Sequence, residues 1–155
     1  MQPLATEKIQ IFGIGNQNRG DDGAAWALLQ LLEKEHFPAA FHYVYHLQIE
    51  HALQVASAAS VLFVDATQEY LPQGFSWQPC HAAAQVSVFS HGLSPSHLLY
   101  ITRSLYQTAP PAHLLLLQGE NWDFCNALSA PTQQHIINAY QFLQQSDILN
   151  AGTPK

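Results

Sequence analysis

Apolar and polar residues fall in blocks along this chain whose period switches repeatedly between that of a strand and that of a helix. Lys8 to Phe12 is a mainly apolar run that reads as a buried strand, and Ala24 to Glu33 follows with Ala25, Leu28, Leu29 and Leu32 on one helix face. Phe41 to Leu47, rich in aromatic and β-branched residues, predicts a second strand, and Glu50 to Ala59 a helix. Val61 to Val64 is a brief continuous apolar run ending at Asp65, which suits a parallel strand covered on both faces. Pro72 to Gly74 marks a turn, after which Phe75 to Gln78 and Val86 to Phe89 are candidate strands, one of them antiparallel at an edge. Ser94 as N-cap and Pro95 at the first helical position open a helix to about Tyr106, with Leu98, Leu99, Ile101 and Leu105 as its apolar face. Leu114 to Leu117 is another apolar strand and Gly119 to Leu128 a loop. Thr132 to Gln145 is a closing helix with Ile136, Ile137, Tyr140 and Leu143 on one side. Strands alternating with helices predict an α/β sandwich built on a mainly parallel sheet.

Length and composition narrow this picture. With 155 residues and 48% of them hydrophobic, one domain over residues 1–155 can bury a real core, with a loose tail from Asn150. Lys and Arg number 5 against 11 Asp and Glu, which leaves no basic surface to neutralise a run of phosphates and excludes nucleic acid as a partner. Cys80 and Cys125 form no CxxC pair, so neither a zinc ribbon nor a dithiol redox centre is expected. No basic-then-apolar leader and no bilayer-length apolar run occur, which reads as a cytoplasmic protein with free thiols, and no heptad pattern announces an assembly, which reads as a monomer.

The chemistry concentrates in Gly13-Ile-Gly-Asn-Gln-Asn-Arg-Gly-Asp-Asp-Gly23, where two adjacent carboxylates stand in a glycine-rich turn between the first strand and the first helix. That carboxyl edge is where open α/β sheets bind ligands. Helix capping accounts for one acid, and Asp21 is the candidate cap. Two neighbouring acids repel unless a cation or donors lie close, which makes Asp22 the candidate functional group. Asp65 emerges at the same edge if the strands run parallel, either as a ligand or as a cap of the following turn. His91, before the third helix, reaches that edge too, although a loop histidine alone carries little; His97 is its rival. Two carboxylates and an imidazole make a sulfur-free site with open positions, suited to a borderline divalent metal such as nickel or zinc. A dinucleotide site is disfavoured because the third glycine is misplaced and Asp21-Asp22 would repel phosphate. HExxH and Gly-x-Ser-x-Gly are both absent, which removes support for zincin and acyl-enzyme chemistry.

The acidic turn, Val61-Leu-Phe-Val-Asp65-Ala and Ser90-His91-Gly-Leu-Ser-Pro resemble, in order and spacing, the hydrogenase maturation proteases, the endopeptidases of [NiFe] hydrogenase assembly. Gly119-Glu-Asn-Trp-Asp-Phe124 resembles that family's late loop, and His46-Leu-Gln48-Ile-Glu50 stands where many members carry a Gly-Gly-Thr-type turn. The resemblance spans about Ile9 to Leu143. It implies a three-layer α/β sandwich with a twisted five-stranded sheet. It also implies an endopeptidase that removes the C-terminal extension of the hydrogenase large-subunit precursor once nickel is in place, with Asp22, Asp65 and His91 as both the metal-contacting and the catalytic residues. The nickel comes with the precursor and is not permanently held. A non-catalytic metal-binding chaperone for the same precursor is the alternative, with a nucleotide-binding module behind it. Trp122 and Phe124 are expected in the core.

Overall fold

The computed structural model describes residues 8–84 and 92–145. Five strands and four helices follow one another as β1 (Ile9–Ile14), α1 (Ala24–Lys34), β2 (Ala40–Val44), α2 (Ala52–Ala56), β3 (Ser60–Thr67), β4 (Phe75–Pro79), α3 (Pro95–Tyr106), β5 (Ala112–Gln118) and α4 (Ala130–Gln144). Short 3-10 turns, Gly20–Gly23 and Ile49–His51, lead into α1 and α2. The sheet order is β2-β1-β3-β5-β4, parallel throughout except for β4, which pairs antiparallel with β5 at one edge.

Both faces of the sheet are covered, which is why β1 is apolar but for Gln10 and Val61 to Val64 of β3 is an unbroken apolar run. On one face α1 and α4 close a core that includes Ile11, Leu28, Leu32, Leu62, Leu115 and Ile136. On the other, α2 and α3 pack together over Phe12, Val55, Phe63, Leu98 and Leu99. The result is the expected three-layer α/β sandwich. No helix of the described residues is long and apolar enough to cross a membrane.

Several boundaries move. β3 continues past Val64 to Thr67, so Asp65 lies within the strand, its backbone in register with Leu116 of β5. β1 runs on to Ile14, β2 stops at Val44, and the second helical segment ends at Ala56. α4 begins at Ala130, capped by Ser129 whose hydroxyl accepts from the Thr132 N–H. Ser94 does cap α3, accepting from the His97 N–H. The candidate strand Val86 to Phe89 lies outside the described residues.

Two helix faces are also rotated relative to the periodicity. Leu105 is 57% exposed and Ile137 43%, while Thr102 and Ala139 are fully buried in their stead. Thr102 is tolerated there because its hydroxyl donates to the Leu98 carbonyl at 2.8 Å. Leu98→Ala should therefore lower unfolding free energy by about 2–5 kcal/mol in urea melts, whereas Leu105→Ala should change it by less than about 0.5 kcal/mol. Equal losses would show that α3 presents a different face.

Candidate functional site

The site begins where β1 ends. Gly15 has φ +148°, and a Cβ there would stand 2.0 Å from the Asp22 carbonyl oxygen, so the turn folds back on itself only with glycine at this position. Its N–H donates to the Val44 carbonyl at 3.0 Å, fastening the turn to the end of β2. Within the turn the Asn16 N–H donates to Asp22 Oδ2 at 2.9 Å and the Asp22 N–H to the Arg19 carbonyl at 3.1 Å. One carboxylate oxygen of Asp22 thus holds the turn in shape.

Asp21 does not cap α1. The residue preceding that helix is Gly23, with no side-chain cap, and the Asp21 carboxylate is buried against the loop after β5. Oδ2 accepts from the Glu120 N–H at 2.7 Å, the Asn121 N–H at 2.8 Å and the Ser129 hydroxyl at 2.7 Å, while Oδ1 accepts from the Ser129 N–H at 2.8 Å. Burial alone would raise its pKa, but the donors from Asn121, Glu120 and Ser129 outweigh it and bring it down to about 2. Gly20, at φ +56°, lies close beneath the same loop, where a Cβ would meet the Asn121 carbonyl oxygen at 2.5 Å.

Asp22 and Asp65 line one cleft of about 330 Å³ at the carboxyl ends of β1 and β3. The connections from these two neighbouring strands diverge, β1 leading through α1 to β2 and β3 leading to β4 at the far edge, the arrangement that opens a crevice in such sheets. Asp65 Oδ1 accepts from the Ala66 N–H at 2.8 Å. Burial foremost, and the negative charge of Asp22, push its pKa up to about 7 against that bond.

The cleft wall also carries Arg19, Tyr45, Gln68 and Trp122, none of them singled out by motif in the sequence except Trp122. Arg19 and Tyr45 could have been suspected only from their positions within the acidic turn and just past the end of β2. Trp122 is half-buried and belongs to the cleft wall, and Phe124 is 84% exposed, so the expectation that both complete the core fails. The Arg19 guanidinium lies over the Phe124 ring at 4.9 Å, which accounts for an aromatic ring left in solvent.

His91 lies outside the described residues. His97 is half-buried near the start of α3, its ring tilted against Tyr100 with 6.3 Å between centroids, and it does not line the cleft. Among the described residues no three of His, Cys, Asp and Glu stand together as a metal site. The two carboxylates are therefore a partial donor set, fit for a hard or borderline cation whose other ligands come from elsewhere. Cys80 is buried and Cys125 half-buried, both as free thiols distant in role from the cleft.

Stability should report the two acids in opposite ways. Asp65 has a folded pKa above its unfolded value. It therefore supports the fold fully below about pH 4, and that support is lost as pH rises through about 7. Asp65→Asn should be more stable than the parent at pH 8, by roughly 1–3 kcal/mol, with the gain vanishing near pH 4. Asp21 has a depressed pKa, so its contribution is complete above about pH 4 and fades toward pH 2. Asp21→Ala should cost roughly 2–4 kcal/mol at neutral pH, because it strands several backbone donors. Chemical melts across pH 2–8 check both, and parallel curves for parent and variants would refute the assignment.

Solved structures share this architecture. A hydrogenase maturating endopeptidase HybD from E. coli superposes with a TM-score of 0.70 at 16% identity, covering 87% of this chain and 88% of that one. A [NiFe] hydrogenase maturation protease HycI from Thermococcus kodakarensis KOD1 gives 0.67 at 18% identity over 87% and 88%. A hydrogenase 2 maturation peptidase from Thaumarchaeota archaeon SCGC_AB-539-E09 gives 0.62 at 16% identity over 88% and 95%. At these identities the likeness establishes a common fold. No family model and no curated protein matches the chain.

Proposed function

We propose that this protein is a nickel-dependent endopeptidase that removes the C-terminal extension of a [NiFe] hydrogenase large-subunit precursor after nickel insertion. The observation that carries the reading is the pair Asp22 and Asp65 on one cleft, at the carboxyl edge of a fold shared with hydrogenase maturation endopeptidases. The nickel is the substrate's cargo. Asp22 and Asp65, with His91 as the imidazole, contact it as the precursor presents it, and a precursor without the metal offers these acids little to bind. That difference in affinity makes the protease selective for the loaded form.

Hydrolysis needs a water to attack the scissile carbonyl carbon and a group to take its proton. A carboxylate of the pair accepts that proton and returns it to the departing amine as the C–N bond breaks. Burial foremost, and the negative charge of Asp22 after it, raise the pKa of Asp65 when no metal is bound. Arg19 is the one cation on the described cleft wall. The protein acts as a cytoplasmic monomer on this reading.

Incubation of purified nickel-loaded precursor with the protein should shorten the precursor by mass spectrometry, while nickel-free precursor stays intact. Asp22→Ala, Asp65→Ala and His91→Ala should each slow trimming by at least roughly 100-fold, and His97→Ala should leave it within about twofold of the parent. The proposal fails if loaded precursor is bound without any change in mass, the result a non-catalytic chaperone would give. It fails equally if the three variants trim at the parental rate.

A further inference from the structure

A second, larger groove of about 590 Å³ adjoins the cleft, bounded by Gln17, Trp26, Gln30, Glu33, Lys34 and Tyr43. Tyr45 joins the two: it lines the cleft, and its ring stacks on Trp26 with 5.5 Å between centroids and 20° between planes. Trp26 is held rigidly, its indole N–H donating to the Gly13 carbonyl at 3.0 Å and the Val44 carbonyl at 3.2 Å, and it meets Tyr43 edge-on at 5.7 Å. Tyr45 is nevertheless 62% exposed, so it adds little to the core it stands beside.

We propose that this groove receives the stretch of precursor chain flanking the scissile bond, and that Tyr45 is the ridge over which the chain passes from groove to cleft. The inference rests on the endopeptidase reading above. Three features favour an extended polypeptide as the occupant. First, Tyr45 of the cleft wall stacks on Trp26 of the groove wall, so a chain with its scissile bond beside Asp65 meets the groove on crossing that one stack. Second, Trp26 to Lys34 along α1 spans about 12 Å, the length of three or four extended residues. Third, β2 is an edge strand of the sheet, and its Tyr43, whose hydroxyl donates to Glu33, lines the groove. An edge strand lends backbone hydrogen bonds to an added chain. The lining combines two amides, one acid and one base with a fixed aromatic ledge, so recognition falls on backbone polar groups and one apolar side chain, not on charge.

A photo-crosslinking residue in place of the exposed Gln30 tests this with nickel-loaded precursor. Peptide mapping should place the cross-link in the precursor's C-terminal region on either side of the scissile bond. Gln30→Arg, which narrows the groove away from the carboxylates, should raise KM at least fivefold with kcat unchanged, and Tyr45→Ala should lower kcat/KM roughly tenfold. Leu105→Ala, on another face, serves as the control. Cross-links to other parts of the precursor or to a second copy of this chain, or an unmoved KM for Gln30→Arg, would overturn the groove assignment while trimming by the parent protein continues. Absence of trimming by the parent would instead remove the endopeptidase reading itself.

Discussion

One buried carboxylate joins the two halves of the site. Asp21 belongs to the turn after β1, yet all four hydrogen bonds of its carboxylate come from residues about a hundred positions later in the chain, at Glu120, Asn121 and Ser129. The loop it grips carries Trp122 on the cleft wall and Phe124 against Arg19, and it ends in the cap of α4. A buried negative charge is tolerable only with several donors converging on it, and such an arrangement admits little displacement of either partner. The acidic turn and the late loop therefore move as one body, and the cleft between them keeps its shape.

With Asp21 occupied in this way, Asp22 and Asp65 are the two acids left to line the cleft. Their mutual repulsion and the burial of Asp65 are unfavourable to the fold, a cost expected where a site is built for a ligand and not for stability. A cation or a shared proton relieves it. Neither acid belongs to the two apolar cores, which are closed by the residues preceding Asp65 and by those on the helices, although Asp22 fastens its own turn through Asn16.

The architecture was legible because period and burial agree: strands covered on both faces are mainly apolar, and the helices carry stripes. The departures have local physical causes. β3 outruns its apolar segment because Asp65, Ala66 and Thr67 are in register with Leu116, Leu117 and Gln118, and backbone pairing is indifferent to side-chain polarity. Leu105 and Ile137 share a helical period with core residues but fall past the edge of the neighbouring element, which no single-helix pattern encodes. The candidate acids were legible from where their strands end, whereas the role of Asp21 was not, since its partners lie in a loop distant in sequence. Phe124 misled for the same reason: an aromatic residue usually signals core, and only the tertiary structure brings Arg19 over it.

Asp22 and Asp65 are also held by different means, and the difference suits their roles. Asp65 sits inside a paired strand, so its backbone is fixed by the ladder on which the whole sheet depends. Asp22 is held by a turn that only glycine at position 15 permits, with one of its own oxygens bonded to Asn16. A side chain presented from a strand can be placed within a fraction of an ångström, and one presented from a self-bonded turn is nearly as well fixed. On the proposed function, two carboxylates so constrained would lose little entropy on meeting a metal carried by the precursor. Binding free energy would then be available for positioning the peptide bond of the proposed substrate and not be consumed in assembling the site.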